Sequence, residues 1–149
     1  MSSKRSERLQ RVANHFGEGR DLASRRLAEL RVAMDEADQR LGSLRSYLDG
    51  YHAEFDKVRR SGTSAAKLQN YRAFLAQLEA ALEQQKQQVD HARQAFERQK
   101  DVWHKARTQV QAIEQAAQRT LDTESRAQDL AEQRQMDELS LQRFLATRR

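Results

Sequence analysis

Cysteine and proline are both missing from this 149-residue chain, and glycine occurs only five times. Without cysteine there is no disulfide framework and no thiolate metal site, which fits a cytosolic protein. With no proline and few glycines, the breakers that punctuate sheets and loops are scarce. Nine residues are aromatic, and nothing in this composition suggests a globular core. Long apolar runs are lacking too: none approaches the roughly 20 residues a membrane span needs, and Met1 to Asp21 has no signal-peptide apolar segment. The expectation is a single soluble, cytoplasmic domain. What is present is charge, at 33% of residues, together with Gln, Ala, Leu, Arg and Glu, the composition of long helices.

Those residues are ordered along the chain. From Leu68, alternating steps of three and four meet Leu68, Tyr71, Leu75, Leu78, Leu82, Gln85, Val89, Ala92, Phe96, Gln99, Trp103, Ala106, Val110, Ile113 and Ala117. The count runs on through Thr120, Glu124, Ala127, Ala131, Arg134, Glu138, Leu141 and Leu145. Seventeen of these 23 positions are apolar in a chain that is 38% apolar overall, so the series is a helical stripe. Its period of 3.5 is that of a left-handed coiled coil.

A second stripe runs through Leu9, Val12, Phe16, Gly19, Ala23, Leu27, Leu30, Met34, Ala37, Leu41, Leu44, Leu48, Tyr51, Phe55 and Val58. Two steps of four, from Gly19 to Ala23 to Leu27, read as a stutter that locally unwinds the coil. Between the stripes, Arg59-Arg60-Ser61-Gly62-Thr63-Ser64 combines a basic helix end, a glycine able to take positive φ and hydroxyls able to cap a helix.

The expected fold is therefore all-α: an antiparallel two-helix coiled-coil hairpin in one domain, 1–149. Helix 1 covers about 3–60, the turn about 61–64, and helix 2 about 65–147, a longer helix of roughly 120 Å against roughly 80 Å for the first. In that register Phe55 meets Tyr71, Ala37 meets Val89 and Ala23 meets Trp103. Ala106 meets the Gly17 to Gly19 stretch, where glycines would permit close approach. Past about Asp122 helix 2 has no partner left, which accounts for the polar stripe positions at Thr120, Glu124, Arg134 and Glu138. The overhang still carries Leu130, Met136, Leu139, Leu141, Phe144 and Leu145, a surface for docking or a segment that frays.

No catalytic constellation is present. His15, His52, His91 and His104 are scattered, and there is no HExxH, GxxxxGK[ST] or GxGxxG motif. Acidic residues read as helix-flank partners of basic ones, Asp56 with Arg60 for example. Gln84-Gln85-Lys86-Gln87-Gln88 reads as solvated surface. No enzyme activity, cofactor or metal is expected. The net charge of +5 is spread out, apart from Lys4, Arg5, Arg8 and Arg11 at one end and Arg148 and Arg149 at the other, which read as helix flanks or protein contacts and not as a nucleic-acid site. Five of the nine aromatics, Tyr47, Tyr51, Phe55, Tyr71 and Phe74, gather around the turn. Tyr47 and Phe74 lie off the stripe, which reads as a partner surface or as packing of the tip.

The segment Leu44-Arg45-Ser46-Tyr47-Leu48-Asp49-Gly50-Tyr51, with Asn70-Tyr71-Arg72-Ala73-Phe74-Leu75-Ala76-Gln77-Leu78-Glu79 after the turn, resembles the FliJ family of flagellar export proteins, as does Arg134-Gln135-Met136-Asp137-Glu138-Leu139 near the end. The resemblance extends over nearly the whole chain; the injectisome stalk proteins share the architecture. It implies a non-enzymatic stalk of the type III export apparatus. One end would enter a hexameric export ATPase ring, the other would meet the cytoplasmic domain of the export gate protein, and export chaperones would bind as well. Such a chain is cytoplasmic and reaches the inner membrane only through its partners. Carried onto this sequence, the gate-binding residues would be Arg40, Leu44, Tyr47 and Tyr51 with Phe74, Leu78, Ala81 and Gln85. Arg40 and Gln85 stand where the resemblance implies glutamine and histidine. The two sets share the spacing 4, 3, 4 and lie level across the hairpin. The ATPase-binding residues would be Arg5, Arg8, Arg11, Arg134, Asp137 and Arg143. The stripes alone would serve an injectisome stalk, or a generic coiled-coil scaffold or homodimer, equally well.

Overall fold

The computed structural model describes residues 4–148. The protein is an all-α helical hairpin of α1 (Arg5–Ser61) and α2 (Ala65–Thr147), with no strand among the described residues. The position expected to open helix 1, residue 3, lies outside the described residues, as does Arg149. Contacts divide the chain into two compact units, Ala23–Trp103 and Met1–Leu22 with His104–Arg149.

The unit Ala23–Trp103 contains the turn. Helix α1 ends with Arg59 and Arg60 in its last turn, where their charge complements the negative end of the helix dipole. Ser61 is the last residue of α1, one beyond the expected end, and its hydroxyl donates to the Val58 carbonyl at 3.0 Å. Gly62 then takes φ +78°, the left-handed conformation that closes helix C-termini. Ser64 caps α2: its hydroxyl accepts from the Lys67 N–H at 3.2 Å, and its carbonyl accepts from Leu68.

Behind this turn the core is the expected seam. Leu48, Phe55 and Leu75 are buried, with Tyr51, Leu68, Tyr71, Leu78 and Leu82 packed on them. A second cluster joins Ala37, Leu41 and Val89 with Leu82 and Ala92. Each such large apolar side chain, fully buried, contributes about 1.5 to 3 kcal/mol. Two polar seam positions are satisfied across the pair. Gln85 Nε2 donates to the Ala37 carbonyl at 3.1 Å and Gln99 Nε2 to the Ala23 carbonyl at 3.2 Å. Both acceptors belong to buried alanines, whose small side chains let the amides reach the backbone. Gln85 is thus half-buried in the seam and Lys86 beside it is half-buried too, while Gln84, Gln87 and Gln88 are exposed as expected.

In the other unit, α2 keeps the expected stripe. Ala106, Val110, Ile113, Ala117, Thr120 and Glu124 are buried or half-buried, and every residue from Ser125 to Arg148 is exposed. Helix α1 departs from expectation here. Val12 is 42% exposed and Gly19 is exposed, while Ala13 is only 2% exposed and Ser6 is 6%. Within this unit the seam of α1 runs Ser6, Leu9, Ala13, Phe16 and Arg20, in unbroken steps of three and four, so the stutter does not exist. Arg20 fills a seam position with its half-exposed side chain, the guanidinium turned to Asp21 at 3.2 Å. The glycines do not serve a close approach either. A Cβ on Gly17 would meet only Arg20, and one on Gly19 would meet nothing.

Thr120 and Glu124 are also covered, contrary to the expectation of a bare stripe. The Glu124 carboxylate accepts from the Ser6 hydroxyl and, at 3.2 Å, from the Ser6 N–H. Cover on α2 therefore ends just after Glu124, about two residues beyond the expected limit. Ion pairs lie on the surface: Asp56 pairs with Arg59 at 3.5 Å and not with the expected Arg60. Exposed pairs of this kind are worth at most about 1 kcal/mol.

Candidate partner-binding surfaces

All eight residues expected to face the export gate lie in the unit Ala23–Trp103, on its seam or one step beside it. Leu44, Tyr51, Leu78 and Gln85 are seam residues, half-buried. Phe74 and Ala81, one step off the seam, are half-buried as well. Tyr47 and Arg40 are exposed, Tyr47 by 54%. An open groove joins them: Glu36, Gln39, Arg40, Ser43, Leu44, Tyr47 and Gln85 line it. Arg40 is held along this groove by Glu36, Nη2 to Oε2 at 3.6 Å.

Next to the groove the aromatic rings stack on one another. Tyr51 lies 4.7 Å from Phe74 and 5.3 Å from Tyr71, and Tyr71 lies 5.7 Å from Phe55, centroid to centroid. These separations are in the range where ring quadrupoles attract. Tip packing therefore accounts for Phe55, Tyr71 and part of Tyr51 and Phe74, and leaves Tyr47 as the ring free to be shared. Burial first, then the neighbouring Tyr71, Glu54 and Tyr47, push the Tyr51 phenol above its usual range. Glu36, Gln39 and Ser43 were not singled out in the sequence. The available signal was their spacing, since Glu36 and Ser43 stand one turn before Arg40 and Tyr47 on the same helix face.

All six residues expected to face the ATPase lie in the other unit. Arg5, Arg8 and Arg11 are exposed on the first turns of α1, and Arg134, Asp137 and Arg143 are exposed on the uncovered stretch of α2. Arg5 borders a groove with Leu9, Ala116, Arg119, Thr120, Thr123 and Glu124. Arg134, Asp137 and Arg143 follow Glu124, in the stretch of α2 that is exposed throughout. Among the described residues no group of three or more His, Cys, Asp or Glu side chains could hold a metal, and no helix is long and apolar enough to cross a membrane.

Two long helices with an exposed end and a tyrosine-bearing groove are a shape many coiled coils share, and comparison with known families decides among them. The sequence pattern of the family described as "Flagellar FliJ protein" matches residues 5–149. The chain belongs to the FliJ family. The Flagellar FliJ protein of Escherichia coli (strain K12) is 25% identical over 118 residues, 79% of this chain and 80% of that protein. The Flagellar FliJ protein of Salmonella typhi is 26% identical over 120 residues, 80% of this chain and 82% of its own. No solved structure matches the chain. FliJ membership supports a component of the flagellar export apparatus, with the groove and the uncovered helix as its two candidate contact surfaces.

Proposed function

We propose that this FliJ-family chain is a non-enzymatic coupling stalk of the flagellar type III export apparatus. Its terminal unit engages the hexameric export ATPase, and its turn-bearing unit contacts the cytoplasmic domain of the export gate protein. Export chaperones are further partners, nucleic acid is not, and the chain is cytoplasmic, meeting the membrane only through the apparatus. The observation that carries the reading is the Tyr47 groove. An exposed tyrosine beside an aromatic cluster, flanked by a paired arginine, has the composition of interface centres.

The uncovered end supports the other half of the reading. Arg5, Arg8 and Arg11 are exposed beside the first seam positions of α1, and Arg134, Asp137 and Arg143 lie on a helix surface that nothing in the chain covers. A helical shaft among six equivalent subunits meets different neighbours at each angle, so exposed charges, which set orientation and association rate more than affinity, suit it.

The test is binding of the purified gate domain to Tyr47→Ala and Phe74→Ala variants. Loss of a central interface aromatic is expected to weaken binding by about tenfold or more. Phe74→Ala also removes a ring from Tyr51, so its helicity is checked alongside; Tyr47→Ala, being exposed, tests the surface directly. Unchanged gate affinity for Tyr47→Ala would remove the groove from the contact.

A further inference from the structure

The stretch 125–148 of α2 is uncovered, and its seam positions are Ala127, Ala131, Arg134, Glu138, Leu141 and Leu145. Leu141 and Leu145 are 58% and 56% exposed, and on one flank Leu130 and Phe144 are 55% and 56% exposed. An apolar face of this extent on a charged helix asks for a cover. From these positions we infer that two copies of the chain pair antiparallel through this stretch, each covering the other's uncovered seam.

The pattern is self-complementary. If Arg134 of one copy faces Glu138 of the second, the twofold axis returns Glu138 to the second copy's Arg134. The same register sets Ala131 opposite Leu141 and Ala127 opposite Leu145, small against large in each apolar layer, which is the packing that interdigitates. It also brings Leu130 beside Phe144 on the flank, twice. The two polar seam residues that would weaken a generic coil thereby become the device that fixes register.

Length agrees with pattern. The register is centred on Met136, and the uncovered stretch has its midpoint between Met136 and Asp137. A second copy's 125–148 therefore fills the space beside α2 and stops abreast of Glu124, where Ser6 begins the cover supplied by α1. One juxtaposition opposes the pairing: the two Asp137 carboxylates come near each other at the axis, on the solvent side, where salt screens them. Because Arg134 would be enclosed, pairing and the ATPase contact proposed for the same residue exclude each other.

The test is the mass in solution of the full chain by sedimentation equilibrium. At a little over three heptads the association is weak, on the order of 10 to 100 µM, so the mass should climb from 17.3 kDa towards twice that across this range. Arg134→Glu alone and Glu138→Arg alone place like charges face to face and should each stay at one chain's mass. The double variant R134E/E138R, or an equimolar mixture of the two single variants, should recover the doubling. The chain has no cysteine, so an Asp137→Cys variant can form a disulfide only between copies. It should cross-link under mild oxidation, whereas Met136→Cys, on the opposite face, should not. A constant single-chain mass for the unmodified protein would overturn the inference. So would doubling that the single charge variants leave intact, since a dimer through another surface does the same.

Discussion

At the scale of single residues, Glu124 carries the clearest chemical signature. The Ser6 hydroxyl holds its carboxylate below the usual glutamate range, against the opposing effect of burial, and the Ser6 N–H and Lys4 add to the lowering. A carboxyl depressed in the folded chain takes up its proton later than in the unfolded chain. Its stabilising effect is therefore intact above the ordinary glutamate range and disappears as pH falls through the folded value. The Ser6 amide resonance should titrate with a midpoint below that of an ordinary glutamate, and helicity in the first turns of α1 should decline below it. In Glu124→Gln both acid responses should be absent; an unchanged titration would show that another group governs the end of α1. This contact was hidden from the sequence because serine at a seam position is neither apolar nor charged. The same weakness misplaced the seam nearby. Val12 outranks Ala13 in hydrophobicity and Arg20 looks like surface, yet the geometry needs a small residue at 13 and tolerates an aliphatic stem at 20. Gln85 and Gln99 were found by spacing, but their bonds to the Ala37 and Ala23 carbonyls depend on how near the helices approach, which no pattern states.

At the scale of elements, the turn is where local chemistry decides the fold. Gly62 is the one residue among those described that holds positive φ, and a Cβ there would meet no neighbour, so the penalty for substitution is conformational and not steric crowding. Gly62→Ala should destabilise the protein by about 1 kcal/mol, the left-handed penalty of an ordinary residue, and Gly62→Asn by less. Urea denaturation measures both; equal stability of Gly62→Ala and the parent chain would mean that the turn adopts another conformation. This element was legible almost to the residue, because basic residues, glycine and a capping hydroxyl each have one preferred place at a helix end. Ser61 falls in α1, one residue past the expected end, with its hydroxyl bonded back to the Val58 carbonyl. The stripe of α2 from Leu68 to Glu124 was legible for a related cause: one strict period over many turns averages out the exceptions that misled the short start of α1.

At the scale of the whole molecule, the two proposed contacts fall in different units, and the units differ in how the chain builds them. Ala23–Trp103 is one uninterrupted stretch that includes its own turn, whereas the other unit joins two segments far apart in sequence. Loop closure within the first is local and entropically small, so that stretch should fold by itself, while neither segment of the second has its partner when isolated. The groove of Arg40, Leu44, Tyr47 and Gln85 and the Tyr51–Phe74 stack lie wholly within the continuous stretch. A fragment of residues 23–103 should therefore be helical and melt cooperatively. It should bind the gate domain within about threefold of the full chain, a difference below 1 kcal/mol, and lose that binding on Tyr47→Ala. It should leave the turnover of the export ATPase unchanged, because Arg5, Arg8, Arg11, Arg134, Asp137 and Arg143 are all outside it. Circular dichroism, gate binding and ATPase turnover on the one fragment separate the possibilities. A folded fragment that stimulates the ATPase would break the assignment of the terminal unit to the ring, and a folded fragment that ignores the gate would break the assignment of the groove.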